Sequence, residues 1–108
     1  MSGAHGVLLV LLDELEQALR DEGLWGATPP VAERLASLAP FCVDTLGFEE
    51  WLQWVFLPRM REIARRRQQL PQAVLAPMGE QALQPSPRRV LSSLQRIDRH
   101  LAGLSLAG

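Results

Sequence analysis

Apolar residues spaced by three and four positions are the feature of this sequence that most constrains its fold. Leucines recur in this way near the beginning of the chain, at Leu8, Leu12, Leu15 and Leu19. This spacing places them on one side of an α-helix, and Gly23 is typical of a helix end because glycine adopts the left-handed conformation readily. The pattern predicts a first helix from about residue 4 to 22. No stretch of the chain alternates apolar and polar residues strictly, as a half-buried strand does.

The same spacing predicts two further long helices. One begins at Phe48 and has acidic residues in its first turn and arginines at positions 65–67 in its last turn, an arrangement that the helix dipole favours. Pro58 lies inside this helix and predicts a kink, because proline lacks a backbone N–H and clashes with the preceding turn. The other spans about residues 87–103, where an apolar side is formed by Val90, Leu94, Ile97 and Leu101.

Prolines delimit two short helices, predicted over about residues 30–38 and 76–83. We expect Thr28 to cap the first of them, and residues 41–47 to form a connector. A chain of 108 residues has the length of one domain. The sequence therefore predicts a single all-α domain over residues 1–108, an irregular bundle of three longer and two short helices.

The apolar run at positions 6–12 differs from the core of a secretory signal peptide. No Lys or Arg precedes it, and Asp13, Glu14 and Glu16 follow it without a small-residue cleavage site. No apolar run approaches the roughly 20 residues that span a bilayer. Cys42 is the only cysteine, so an internal disulfide is excluded. These features predict a cytoplasmic protein that does not associate with membranes.

The net charge of −1 hides an uneven distribution. Residues 1–57 hold nine acidic residues and two arginines, a balance of −7, whereas residues 58–108 hold three acidic residues and nine arginines, a balance of +6. Such halves can neutralise each other across helix interfaces within the domain. Alternatively, the basic half can bind an acidic or nucleic-acid partner, since the arginine guanidinium suits phosphate.

The residue types that common catalytic and metal sites need are scattered or missing. His5, His100 and Cys42 are isolated from one another in sequence, whereas a metal site needs three or four converging ligands. We expect both histidines to be exposed and the thiol to be buried and inert. Lysine and tyrosine are absent, and there is no glycine-rich phosphate loop. The sequence thus predicts a protein that is not an enzyme and that binds no cofactor or metal.

Aromatic residues concentrate in the segment 41–60, which holds two of the three tryptophans and all three phenylalanines. Trp51 and Trp54 lie three residues apart and are therefore neighbours on a helix. They can form the central mass of the core, or one of them can belong to an exposed recognition patch, because Trp and Arg are enriched in interface hot spots. Under the second interpretation, the candidate interaction surface is Asp44, Glu50, Gln53, Trp54, Arg59 and Arg66.

The same segment resembles a known family. The motifs DTL at positions 44–46, EWLQWV at 50–55 and PRM at 58–60 are similar to the signature of the YqcC-like family, and the similarity continues into the last helix. Members of this family are small helical bacterial proteins of uncharacterised function. The resemblance implies an all-α fold with no known catalytic residues, cofactor or substrate. It also implies a link to RNA modification, because genes of this family often lie beside the gene for a tRNA pseudouridine synthase.

Three functions are therefore open. The first is a non-enzymatic helical interaction module with an unknown protein partner, active as a monomer or weak homo-oligomer. The alternative is an RNA-binding accessory to tRNA pseudouridine modification, whose partner is a tRNA or a tRNA-modifying enzyme. An enzyme of unknown class is the third hypothesis. The chain departs from the family pattern at Gly47, which replaces an acidic residue before the long helix, and we expect a weak N-cap there.

Overall fold

Five helices joined by loops make up the described part of the chain. This computed structural model describes residues 3–36, 46–83 and 87–107. The short helices are α2, Ala32–Leu35, and α4, Ala76–Ala82, and the longer ones include α1, Ala4–Asp21, and α5, Arg88–Ala107. The third long helix, α3, continues through three parts, Phe48–Trp51, Leu52–Phe56 and Leu57–Arg65. These ranges contain no strand, and the predicted all-α bundle of three longer and two short helices is confirmed.

Two of the long helices end in the same backbone motif. At the end of α1, the N–H of Leu24 donates to the carbonyl of Leu19 around Gly23, which has a φ of 74°. At the end of α3, the corresponding hydrogen bond closes around Arg67, which has a φ of 54°. Both are Schellman motifs, which satisfy carbonyls left unpaired at a helix C-terminus. The helix end predicted at Gly23 is therefore confirmed.

A π-helical turn, Leu52–Phe56, lies inside α3 immediately before the residues around Pro58. In this turn the N–H of Leu57 donates to the carbonyl of Leu52, five residues back rather than four. Pro58 has no N–H to continue the usual ladder, and π turns are one of the few irregularities that long helices contain. The sequence predicts a kink at Pro58, and the irregularity observed beside it is this wider turn.

Leucines of α1, α3 and α5 form most of the core. Its fully buried side chains include Leu8, Leu12, Leu15, Leu19, Leu52, Leu57, Leu94 and Ile97. Trp51 and Trp54 are only partly buried, so the interpretation of these two tryptophans as the central mass of the core is wrong. Trp51 lies at the edge of the core, where its ring contacts those of Phe48 and Phe56 at centroid distances of 5.8 and 5.4 Å.

The short helix α4 packs closely on α5 because one of its residues has no side chain. Gly79 is buried, and a Cβ atom there would lie 2.9 Å from Cδ1 of Leu94. The Asp98 carboxylate of α5 accepts hydrogen bonds from the N–H groups of Leu75 and Ala76 at 2.8 to 2.9 Å. Asp98 thereby caps α4 from another helix, because these N–H groups have no partner within α4.

Local signals around α2 predict its beginning incorrectly. The N-cap is Val31 in an extended conformation, so Thr28 does not cap the helix and the two prolines precede it. The predicted helical residues 37 and 38 lie outside the described part of the chain, as do residues 41–45 of the predicted connector. Because this helix is short and its apolar periodicity is weak, contacts with the rest of the protein determine where it begins.

Ion pairs across the helix interfaces join arginines of the basic half of the chain to acidic residues of the acidic half. The Arg61 guanidinium of α3 lies 3.0 and 2.8 Å from the carboxylates of Asp13 and Glu16 in α1. On the other side of α1, α5 contributes two further pairs, Arg89–Asp21 and Arg96–Glu14. The interpretation that the two halves neutralise each other thus applies to these three arginines.

Among the described ranges, none of the helices is both long enough and apolar enough to cross a membrane.

Candidate functional site

The residues of the predicted interaction surface occupy different environments. Asp44 lies outside the described residues. Glu50 and Gln53 contact residues that precede α3 in the chain. Trp54 and Arg59 lie further along α3, and Arg66 lies at its C-terminal end. The structure therefore separates these residues by what they contact.

Gln53 is held by the loop that follows α1. Its Oε1 accepts a hydrogen bond from the N–H of Gly26 at 2.8 Å, and its Nε2 donates to the carbonyl of Gly26 at 2.7 Å. The residue is 5% exposed. The assignment of Gln53 to an exposed surface is therefore wrong, because both ends of its amide bind the backbone of the protein itself.

Glu50 joins α2 to the beginning of α3. Its Oε1 accepts a hydrogen bond from Nη2 of Arg34 at 2.8 Å and another from the N–H of Gly47 at 3.0 Å. The second bond satisfies the backbone N–H of the N-cap residue, as the glutamate at the third helical position of a capping box does. The weak N-cap predicted at Gly47 is thus supported from three residues further on. Gln53 thus fastens Gly26 of the loop after α1 to α3, and Glu50 fastens Arg34 of α2 to α3; we call these contacts the clamp.

Trp54 and Arg59 lie on α3 beyond this clamp. Trp54 is partly buried, and among the described residues it is not packed against the core cluster and its indole N–H has no hydrogen-bond partner. Pro58 and Arg59 are exposed, and Arg59 forms no ion pair within the described ranges. We call these three residues, Trp54, Pro58 and Arg59, the Trp54 face. It presents apolar area, one hydrogen-bond donor and one cation to solvent.

The C-terminal end of α3 carries three consecutive exposed arginines, Arg65, Arg66 and Arg67, which we call the arginine end. Arg66 pairs with Glu62 at 3.2 Å, although both side chains remain more than half exposed, at 67% and 60%. Arg65 and Arg67 form no ion pair with any described residue. A pair this exposed contributes little to stability, so all three guanidinium groups are available to a partner.

Two histidines fasten neighbouring segments rather than project freely into solvent. Nε2 of His100 donates to the carbonyl of Ala4 at 3.0 Å, and Nε2 of His5 donates to the carbonyl of Gln68 at 2.7 Å. Because a carbonyl oxygen can only accept, Nε2 carries the proton in both cases. The prediction that both are exposed is wrong, because both His5 and His100 are partly buried. The bond from His5 holds the residue that directly follows the arginine end.

A groove of about 460 Å³ runs between α1 and α5. Its lining includes Glu14, Gln17, Asp21, Arg89, Ser92 and Arg96. Two of its arginines already pair with carboxylates across the groove, so these charged groups are engaged between the two helices. Within residues 3–36, 46–83 and 87–107, no group of three or more histidine, cysteine or acidic side chains could hold a metal ion.

The DUF446 family model, described as tRNA pseudouridine synthase C, matches residues 8–100 of the chain. The chain belongs to this family. A DUF446 relative, the uncharacterised protein YqcC of Escherichia coli, is 36% identical over 98 residues, which cover 87% of this chain and 90% of YqcC. The solution NMR structure of E. coli YqcC matches with a TM-score of 0.82 and 33% identity, covering 94% of this chain and 90% of that chain. The resemblance drawn from the motifs at positions 44–60 is confirmed.

Other relatives of this DUF446 protein differ in length and in name. An uncharacterised protein of Haemophilus influenzae is 40% identical over 73 residues, which are 67% of this chain and 69% of that protein. A tRNA pseudouridine synthase C of Pectobacterium carotovorum is 45% identical over 62 residues, which are 57% of this chain but 16% of that protein. The relatives that cover most of the DUF446 chain are thus uncharacterised, whereas a similar segment forms a small part of a protein named as an enzyme.

Proposed function

We propose that this protein is a non-enzymatic interaction module whose partner is a tRNA pseudouridine synthase. The observation that carries the proposal is the Pectobacterium carotovorum relative, in which a segment similar to this chain belongs to a longer protein named tRNA pseudouridine synthase C. The matched segment is 16% of the length of that protein. A module that shares a chain with an enzyme works beside it at a high effective concentration. A separate chain reaches the same arrangement only through a docking surface.

The Trp54 face is the surface that best fits such docking. Trp54 combines a large apolar area with an indole N–H that no described residue uses, and Arg59 adds a cation that forms no ion pair with a described residue. Tryptophan and arginine are the residue types most enriched in interface hot spots. By contrast, Arg61, Arg89 and Arg96 are already engaged with acidic residues of α1.

The other conspicuous polar residues support a module rather than an enzyme. Glu50 and Gln53 fasten the segment before α3, and Asp98 caps α4. Acid–base catalysis needs such groups to be aimed at a substrate, whereas here they satisfy backbone groups of the protein itself. We propose that the module acts in the cytoplasm as a monomer or weak homo-oligomer, and that it needs no cofactor.

Binding to a purified tRNA pseudouridine synthase C from the same organism tests this proposal. Isothermal titration calorimetry should detect a complex, and Trp54→Ala and Arg59→Ala should each raise its Kd by about tenfold or more, as hot-spot residues do. Arg99→Ala is the matched control, because Arg99 is also exposed and also lacks an ion pair within the described ranges. Circular dichroism confirms that each variant is folded. Absence of a complex, or equal Kd values for all variants, would contradict the proposal.

A further inference from the structure

Arg67 occupies a backbone conformation that normally belongs to glycine. Its φ is 54°, and it stands at the same position of a Schellman motif as Gly23, whose φ is 74°. Residues with a Cβ atom rarely adopt this left-handed conformation, and glycine is the usual residue at such a helix end. The chain uses glycine at the end of α1 and arginine at the end of α3. Strained residues of this kind cluster at functional sites, so the exception points to a use for the Arg67 side chain.

Compensation of the helix dipole explains only part of the arginine end. A cation in the last turn of a helix interacts favourably with the C-terminal carbonyls, and this accounts for Arg65. The effect falls off within that turn, whereas Arg67 lies beyond the cap residue, Arg66. Arg65 and Arg67 also lack an ion pair among the described residues. Arg67 is therefore a cation that neither the helix dipole nor an ion pair with a described residue explains.

The backbone that carries these arginines is held in place from both sides. The N–H of Gln68 donates to the carbonyl of Ile63, and the N–H of Arg67 donates to that of Ala64. The carbonyl of Gln68 accepts the hydrogen bond from His5 of α1. A fixed backbone lowers the entropic cost of binding, because only the side chains must be ordered.

We infer that Arg65, Arg66 and Arg67 form a contact site for the backbone phosphates of an RNA. The inference rests on the proposed function for its choice of RNA, since a tRNA is what an associated pseudouridine synthase would hold. The guanidinium group supports the choice of phosphate, because its planar donors bind two oxygens of one phosphate at once. The exposed Glu62 carboxylate is the one acidic group paired with this cluster among the described residues, and a phosphate can displace it from Arg66.

Salt-dependent binding of an unmodified tRNA transcript to the full chain tests the inference. Fluorescence anisotropy at KCl concentrations from about 50 to 200 mM gives the slope of log Kd against log salt, to which each phosphate contact contributes roughly 0.7 on a single strand and roughly 0.9 on B-DNA. The triple variant Arg65→Gln, Arg66→Gln and Arg67→Gln should lower that slope by about 2 and weaken binding by more than about tenfold. Arg99→Gln, an exposed arginine of α5, should change the Kd by less than about twofold.

Arg67→Gly separates a binding role from a structural one. Glycine relieves the backbone strain, so the thermal midpoint should rise, while RNA affinity should fall severalfold because one cation is lost. Arg67→Lys retains the charge and should retain most of the salt slope. A higher midpoint with unchanged RNA affinity would show that Arg67 acts only on stability and would contradict its part in the site.

The remaining outcomes distinguish failure of the RNA-contact inference from failure of the proposed function. If the wild type does not bind tRNA, or if the triple variant keeps the full slope, the inference is wrong while the complex with the synthase can still form. If the triple variant loses the synthase and keeps RNA binding, the arginine end is a protein-binding site instead. If RNA binding behaves as expected and no complex with the synthase forms, only the proposed function fails.

Discussion

The side-chain amide of Gln53 pairs with both backbone polar groups of Gly26, at 2.8 and 2.7 Å, and so ties the loop after α1 to the middle of the bundle. Gln53→Ala removes both hydrogen bonds and leaves the groups on Gly26 to partial solvation. We expect a loss of about 2 kcal/mol in the free energy of unfolding, measured by urea denaturation. Gln69→Ala, at an exposed glutamine, should change it by less than about 0.5 kcal/mol. Equal stability of the two variants would mean that the two hydrogen bonds of Gln53 add nothing to the free energy of unfolding.

The left-handed residues at the ends of α1 and α3 predict opposite effects of substitution. Gly23→Ala forces a Cβ into this conformation and should destabilise the protein by about 1 kcal/mol, although no atom lies within 4 Å of the added carbon. Arg67→Gly relieves the same strain and should stabilise by roughly 0.5 to 1 kcal/mol. Chemical denaturation of both variants measures these changes, and a shift of the same sign in both would contradict the shared motif.

Glu16 predicts a dependence of stability on acid pH. Burial raises the pKa of this carboxyl, but the hydrogen bonds and charges of Arg61 and Arg20 outweigh burial and hold the pKa below its ordinary value. Because folding lowers the pKa, the stabilisation is complete above the unfolded-state pKa of about 4.3 and is lost as the pH falls through the folded-state pKa. Glu16→Gln should therefore be less stable than the wild type at pH 7, and the difference should shrink below about pH 4.

The control for this pH profile is Glu22→Gln. Glu22 is exposed and forms no ion pair within the described residues, so its substitution removes a carboxylate without breaking a network. Thermal unfolding of the three proteins between about pH 3 and 7 gives the comparison. A difference between Glu16→Gln and the wild type that stays constant over this range would contradict the assigned role of Arg61 and Arg20.

The Asp98 carboxylate predicts a cap that acts across helices. It accepts hydrogen bonds from Leu75 and Ala76 at the beginning of α4, so Asp98→Ala should cost about 1 to 2 kcal/mol of unfolding free energy. Asp98→Asn keeps one acceptor oxygen and should recover part of that loss. Amide hydrogen exchange at Leu75 and Ala76 should quicken in the alanine variant, and unchanged protection there would show that the cap is dispensable.

The two tryptophans of α3 should differ in their contribution to stability. Trp51 contacts the rings of Phe48 and Phe56 and packs against the core, so Trp51→Ala should cost about 3 kcal/mol. Trp54 is not packed against the core cluster among the described residues, and Trp54→Ala should cost about 1 kcal/mol or less. Urea denaturation of both variants distinguishes them. Losses of equal size would assign Trp54 to the core and weaken its proposed part in docking.

Sequence periodicity predicted the long helices well because the information is local. The apolar spacing of α1 and of α5 indicates directly which side of each helix is buried. The residues that carry this spacing lie in the core, from Leu8 to Leu19 in α1 and from Val90 to Leu101 in α5. Site prediction was less successful for a physical reason. Gln53 and Glu50 look like free polar groups in sequence, whereas their partners, Gly26 and Arg34, come from a segment that only folding brings to α3.

By itself, the sequence determined the helical class, the three long helices, the end of α1 at Gly23 and the family to which the chain belongs. Only the tertiary structure decided which charges remain available to a partner. Arg61, Arg89 and Arg96 meet acidic residues 45 to 82 positions away in the chain, whereas Arg65 and Arg67 meet none within the described ranges. Helix formation depends on neighbours three and four residues apart, which a local sequence pattern shows. The pairing of charges depends on how the helices pack, and no local pattern predicts that arrangement.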